Sequence, residues 1–231
     1  MAAVLGLDAW PGGWVGVLLD PEGCYLGAVV APHVAAAYVE ACAVAGGPIA
    51  VVGIDIPIGL PDTRTRQADL LARYEVGPRR SSVFVTPVRA ALEAPTHAAG
   101  SAANVAATGA GMSMQAYRLG PKVLEVDAWC RTVDVPVREV HPEVTFAAMA
   151  GRPLVHGKKS WAGMAQRRGL LEQVGVRLPD ELGAAGSAPV DDVLDAAAAA
   201  WSARRVASGA AYSLPDPPEP MGDGWLAAIW V

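Results

Sequence analysis

The chain opens with short apolar runs separated by turn residues. "AVLGLD" (residues 3–8) is continuously apolar until it ends on Asp8, "AWPGG" is a turn, and "WVGVLLD" (14–20) repeats the pattern before "PEG" leads into "CYLGAVV" (24–30). Runs of this length, bounded by Gly and Pro, predict three strands, and the short turns predict that they form an antiparallel meander. "HVAAAYVEACAVAG" (33–46) switches to helical spacing and stops at a glycine, which predicts the first helix. "IAVVGID" (49–55) is apolar throughout and rich in β-branched residues, the pattern of a central parallel strand covered on both faces.

Beyond Asp55 the spacing turns helical. Helices are expected near residues 64–75, 87–93, 96–107 and 113–131, with "VGPRRSSVFVTP" (76–87) as a loop among them. A short strand, "VPVREV" (135–140), precedes "HPEVTFAAMAG", and another helix is expected over 160–174. After a Gly- and Ala-rich linker at 183–188, "PVDDVLDAAAAAWSARRVASG" (189–209) has proline at its start and glycine at its end, the usual asymmetry of helix ends. "LPDPPEPMGDG" (214–224) reads as loop and "WLAAIWV" (225–231) as a last strand. The expectation is a single α/β domain over residues 1–231, with a helical insertion at about 62–132 between the fourth and fifth strands.

Composition narrows the class. The chain is 52% hydrophobic and 18% charged, yet no run reaches the ~20 apolar residues that a membrane span needs, so no membrane partner is expected. The start, "MAAVLGLDAW", lacks a basic segment and already reads as a strand, so it is not expected to be a signal peptide. Cys24, Cys42 and Cys130 form no CxxC pair. Neither a disulfide framework nor a zinc site is therefore expected, and a reducing, cytoplasmic setting is. A formal charge of −5 argues against a broad non-specific nucleic-acid surface. Residues 64–80 are a local exception, with Arg64, Arg66, Arg73, Arg79 and Arg80 against Asp69 and Glu75.

The acidic residues fall in suggestive places. Asp8 ends the first strand and Asp55 the fourth. Glu139 lies in the fifth strand and Glu143 just after it, while Asp191, Asp192 and Asp195 open the last long helix. Asp192 and Asp195 are three apart and share a helical face. Strand ends gather along one edge of an open α/β sheet, where ligands bind. Carboxylates converging there need a counter-charge, and Mg²⁺ or Mn²⁺ would supply it through oxygen ligands. Two such ions activate water and stabilise a leaving oxygen in phosphodiester cleavage. The plain alternative for Asp55 is a turn residue, and for Asp191 a favourable charge at a helix N-terminus. Arg79, Arg80, Ser81 and Ser82, with Lys158 and Lys159 of "GKKS", are candidates for phosphate oxygens; a solvated helix boundary is the alternative for the lysines. Aromatic residues, at 6%, offer no evident stacking platform.

The blocks "GLDAWPGGWVGV", "GIDIPIGLPD", "RRSSVFVTPVRAAL", "SMQAY", "KVLEVD", "EVHPEVTF", "GKKSWAGMAQRRGLL" and "DDVLDAAAAAW" resemble, in order, those of the DUF429 proteins, a predicted RNase H-like nuclease family. The resemblance covers residues 4 to about 209. It implies a mixed five-stranded sheet, three antiparallel strands followed by parallel ones, flanked by helices, with a carboxylate cluster at the sheet edge. It makes Asp8 the first-strand acid and Asp55 the fourth-strand acid. "DVLDA" is similar to the last-helix motif of Holliday-junction resolvases of the RuvC type, which places Asp192 and Asp195 as metal ligands, with Asp191 able to substitute in register. Trp10 and Pro11 depart from the glycine-rich first turn of such nucleases. Glu139 and Glu143 count with the catalytic acids. His141 is a candidate proton shuttle or else a structural histidine, and Gln115 a candidate cleft residue.

Three functions follow as expectations. The first is a Mg²⁺- or Mn²⁺-dependent phosphodiester hydrolase acting on nucleic acid, DNA or RNA. The second is a nucleotide-binding phosphotransferase on an RNase H-like or actin-like core, although the chain has no P-loop. The third is a non-catalytic binding module that keeps the fold. Oligomeric state is not legible.

Overall fold

The computed structural model describes residues 2–222 and 224–231. Met1 of the expected domain and Asp223 of the expected tail loop lie outside the described residues. Strands β1 (Val4–Trp10), β2 (Gly13–Leu19), β3 (Tyr25–Ala31), β4 (Val52–Ile54) and β5 (Val137–Glu139) form one sheet in the order β3-β2-β1-β4-β5. β1, β2 and β3 are antiparallel neighbours, and β4 and β5 add on parallel to β1. These are the strand directions that the RNase H-like resemblance implies.

Helix α1 (Val34–Ala45) follows β3 and ends at Gly46 in the left-handed conformation. Helices α2 (Gln67–Glu75), α3 (Arg89–Leu92), α4 (His97–Thr108) and α5 (Met114–Cys130) occupy the expected insertion between β4 and β5. Helices α6 (Pro142–Ala150), α7 (Trp161–Gln173) and α8 (Val190–Ser208) come after it. Period-two alternation sorts each strand between two cores. Leu5, Leu7, Val52 and Ile54 face one side, with Val34, Ala37 and Ala41 of α1 and Val123 and Val126 of α5. Val4, Val15, Val17 and Val51 face the other, with Phe146 of α6 and the alanines of α8.

That second side explains the run "DAAAAAW". Gly6 of β1 and Gly53 of β4 are register partners, and neither has room for a side chain. A Cβ on Gly6 would lie 2.1 Å from the Ala196 carbonyl oxygen and 2.1 Å from the Ala200 nitrogen, and one on Gly53 would lie 2.4 Å from the Ala199 carbonyl oxygen. The backbone of α8 therefore rests directly on the sheet. Only alanine-sized residues on the helix and glycine on the strands permit that approach.

Several segments differ from the sequence reading. The proline-rich tail forms a strand, β6 (Ser213–Pro220), paired with β7 (Leu226–Trp230) in a separate two-stranded sheet. Pairing is confined to the two ends of β6, with a register shift between Leu214 and Glu219. Prolines cannot donate to a ladder but tolerate an edge strand with such an irregularity, so they hide the strand from a propensity reading. The expected loop at 76–87 contains a 3-10 turn, Gly77–Ser82, the linker contains another, Gly183–Ser187, and α3 is a single turn. No helix among the described residues is long and apolar enough to cross a membrane, and Cys24, Cys42 and Cys130 are all free thiols.

Gly53→Ala should destabilise the protein by about 3 kcal/mol, because the new methyl must push α8 off the sheet. Gly47→Ala, where a Cβ meets nothing within 4 Å, should change stability by less than about 0.5 kcal/mol. Chemical denaturation of the two variants checks the contrast.

Candidate functional site

The alternation that points Gly6 and Gly53 at α8 carries on to the next residues of the same parity, Asp8 and Asp55. Register holds their strand ends together, with the Asp55 N–H donating to the Leu7 carbonyl at 3.1 Å. Because α8 touches the sheet through Ala196 and Ala200, Asp195 arrives at the same edge. Carboxylate oxygens of Asp8, Asp55 and Asp195 lie within 4.8 Å of one another. Asp192, nearly one turn earlier on α8, lines the same cleft, whose volume is about 270 Å³.

Lys158 faces these acids. Lys158 Nζ donates to Asp195 Oδ2 at 2.6 Å and lies 3.8 Å from Asp192 Oδ1 and 3.6 Å from Asp191 Oδ2. Burial disfavours its charge, but Asp195 first, then Asp8 and Asp55, hold the ammonium well above its ordinary pKa. The aspartates respond oppositely. Burial, followed by Asp55 and Asp195, pushes the Asp8 carboxyl well above the usual carboxylate range. Asp55 is pushed up to about 7, by burial first and then by Glu139 and Asp192 against the pull of Lys158. Asp192 and Asp195 are each pushed up to about 6, again chiefly by burial. One lysine does not neutralise four aspartates, so the cluster retains protons into the neutral range.

His141 precedes α6 and lines the cleft. Burial lowers its pKa and keeps the imidazole neutral, and its Nδ1 has no hydrogen-bond partner. Glu143, on the first turn of α6, also lines the cleft but is spoken for. It accepts from Arg79 Nε at 3.1 Å and from Arg167 at 2.6 Å. Arg167 is wholly buried and also donates to the His156 and Gly163 carbonyls, at 3.1 Å each, so it ties Glu143 to the segment that carries Lys158.

Glu139 takes a different place from the aspartates. Its carboxylate accepts from the Ile58 N–H at 2.7 Å and from Arg66 at 2.7 and 2.8 Å. Arg66, fully buried, also pairs with Asp69, which accepts from the Thr86 N–H at 2.7 Å. This network sits beneath the Asp55 strand exit and fixes the "IPIG" turn, since Arg66 also donates to the Ile58 carbonyl at 3.0 Å.

The basic run at 64–80 is largely consumed inside the protein. Arg64 pairs with Glu219 at 3.0 Å, Arg66 with Asp69 and Glu139, Arg79 with Glu143, and Arg73 donates to the Val83 carbonyl at 2.7 Å. Of the phosphate candidates, Arg79, Ser82 and Lys158 line the cleft, and so does Gln115. Arg80, Ser81 and Lys159 are exposed outside it. Asp191 does not line the cleft, but it lies 3.6 Å from Lys158 and its charge helps to raise the pKa of Asp192. The sequence reading did not single out Arg167 or the Arg66–Asp69 pair as structural cations and partners. A signal for Arg167 existed, because Gly163, Arg167, Leu170 and Leu171 fall on one helical stripe, and all four are buried.

Two outcomes follow. Arg167→Met leaves Glu143 without its buried partner and should cost about 3–5 kcal/mol of stability, measured by urea unfolding. For Asp55, the folded pKa lies above the unfolded one, so the native state holds extra protons and the contribution of this group to stability falls as pH rises from about 4 to about 7. In chelator-treated protein, Asp55→Asn should therefore match wild type near pH 4 and exceed it in stability at pH 8, by at most about 1.4 kcal/mol for each pH unit crossed. Thermal melts across that range read the difference.

No curated protein and no solved structure matches the chain. The family described as "Protein of unknown function (DUF429)" matches residues 6–220, a span that holds most of β1, all of β2 through β6 and every residue of the cleft. The chain belongs to the DUF429 family.

Proposed function

We propose that this protein is a metal-dependent phosphodiester hydrolase that acts on nucleic acid. The observation that supports the reading most is the uncompensated charge of the cleft, where four converging aspartates share the single ammonium of Lys158. A hard divalent cation fits this donor set. Asp8, Asp55 and Asp195 offer oxygens close enough together to share one ion, and Asp192 lies beside them. Mg²⁺ or Mn²⁺ held there would supply Lewis-acid activation of water and charge stabilisation at the phosphoryl oxygens.

The chain's own groups take the remaining roles. Arg79 and Lys158 are the cations of the cleft wall and would hold the non-bridging oxygens of an incoming phosphodiester. Arg79 reaches the wall from the 3-10 turn and is aimed by Glu143, which Arg167 anchors in turn. His141, neutral and with an unpartnered ring nitrogen, would accept the proton of the attacking water. As water oxygen bonds to phosphorus, the bond from phosphorus to the sugar oxygen breaks, and the leaving oxygen takes a proton from solvent. Glu139 is a positioning residue, since through Arg66 and the Ile58 N–H it fixes the turn that leaves Asp55 at the sheet edge.

The protein should cleave single-stranded or structured DNA or RNA with Mg²⁺ or Mn²⁺ and lose that activity in chelator. Asp8→Asn should lower the rate at least about a hundredfold. Equal cleavage by Asp8→Asn and wild type, on a panel of labelled strands, would remove the assignment. Calorimetry showing no divalent-ion binding by the wild type would instead favour a non-catalytic module.

A further inference from the structure

A second cavity lies on the other side of the α8 N-terminus. It has a volume of about 470 Å³ and is mainly apolar, with Met164, Leu178, Val190 and Val193 among its walls and Trp161 at its rim. Trp161 is the first residue of α7 and is 85% exposed. The segment that carries it is held firmly. Ser160 caps α7 by accepting from the Gly163 N–H at 3.1 Å, and its own N–H and Oγ donate to the Gly157 carbonyl at 3.0 and 2.8 Å. Lys158 and Trp161 are thus three residues apart on one rigid turn, the first in the carboxylate cleft and the second at the apolar groove.

The groove and the cleft also share α8. Asp192 and Asp195 face the cleft, and Val190, Val193 and Leu194 face the groove. A ligand whose phosphate sits at Lys158 therefore has a flat aromatic wall within the span of the same turn. The rim is polar as well: Arg168 donates to Asp180 at 2.9 Å, and both line the groove. Lys159, between the two in sequence, is exposed, and its charge acts on the Asp192 carboxylate. An anionic backbone carrying planar, apolar-faced groups with hydrogen-bonding edges matches all of these features.

We propose that this groove receives an unpaired base of a single-stranded nucleic acid, stacked on Trp161, while the adjoining phosphodiester lies in the carboxylate cleft. The inference rests on the hydrolase reading and adds its substrate class, an unpaired rather than a duplex strand. A plain apolar groove would equally invite a second copy of the chain, but its continuity with the carboxylate cleft, through the turn that carries both Lys158 and Trp161 and through the shared N-terminal end of α8, favours a strand whose phosphate is held in that cleft.

The test is fluorescence anisotropy with a labelled single-stranded 12-mer, as DNA and as RNA, and with an abasic strand of the same length, in Mn²⁺. The full chain carries Asp8→Asn to prevent turnover. Trp161→Ala should weaken binding of the base-bearing strand by about ten- to a hundredfold and leave the abasic strand unaffected, while Trp161→Phe should keep most of the affinity. Equal binding of the base-bearing strand by parent and Trp161→Ala overturns the proposal. So does an equal loss on both strands, or a parent that does not prefer bases. Self-association that Trp161→Ala abolishes without changing strand binding would assign the groove to a second copy and also overturn it. Cleavage by unsubstituted protein is scored separately. Cleavage with no Trp161 effect removes the groove but keeps the hydrolase, and Trp161-dependent, base-preferring binding without cleavage does the reverse.

Discussion

Contact between the backbone of α8 and the glycine pair Gly6–Gly53 sets the geometry of everything around it. A helix normally stands off a sheet by the depth of two side-chain layers. Removing those layers brings α8 close enough for carboxylates on short aspartate side chains to meet across the interface. The pleat then does the rest, since the residues after the glycines on the same face are Asp8 and Asp55. Glutamates at a normal separation would reach as far but would spread their charge over more conformations, at a greater cost in side-chain entropy.

Bringing like charges together opposes folding, and the surrounding structure shows how that opposition is contained. Lys158 is pinned by a capped turn and by the carbonyl contacts of Arg167. Glu143 and Glu139, two further buried acids near the cleft, each have a buried arginine of their own. The negative charge that remains unmatched is therefore gathered on the aspartates around Lys158. A stable protein can carry one such concentrated liability where it serves chemistry.

The sheet, the long last helix and the four aspartates were legible from sequence because each rests on a local rule: apolar runs ending in Asp, a Pro-to-Gly helix frame, and two acids on one helical face. What escaped depends on pairing between distant segments. Arg66 read as part of a local basic excess and Arg79 as a phosphate contact because their partners, Glu139 and Glu143, lie more than sixty residues away in sequence. Strand β6 escaped because its prolines speak for loop, while its ends are paired by β7. The low aromatic content drew no attention to Trp161, whose exposed position beside a cavity is set by tertiary packing. Whether an arginine binds a ligand or a neighbour is decided by topology, which spacing alone does not encode.

The seat of Lys158 has a consequence for which ions this cleft can admit. A cation entering it does not fill a void but competes with an ammonium group that is covalently tethered and therefore present at high effective concentration. A monovalent ion such as K⁺ or Na⁺ brings the same charge as the lysine and gains nothing by exchange. An ion of charge two gains the second charge for aspartates that Lys158 leaves unmatched. For the divalent ion proposed above, valence, before size or coordination number, would be the first filter of the cleft, and a lysine rather than a ligand would set its threshold.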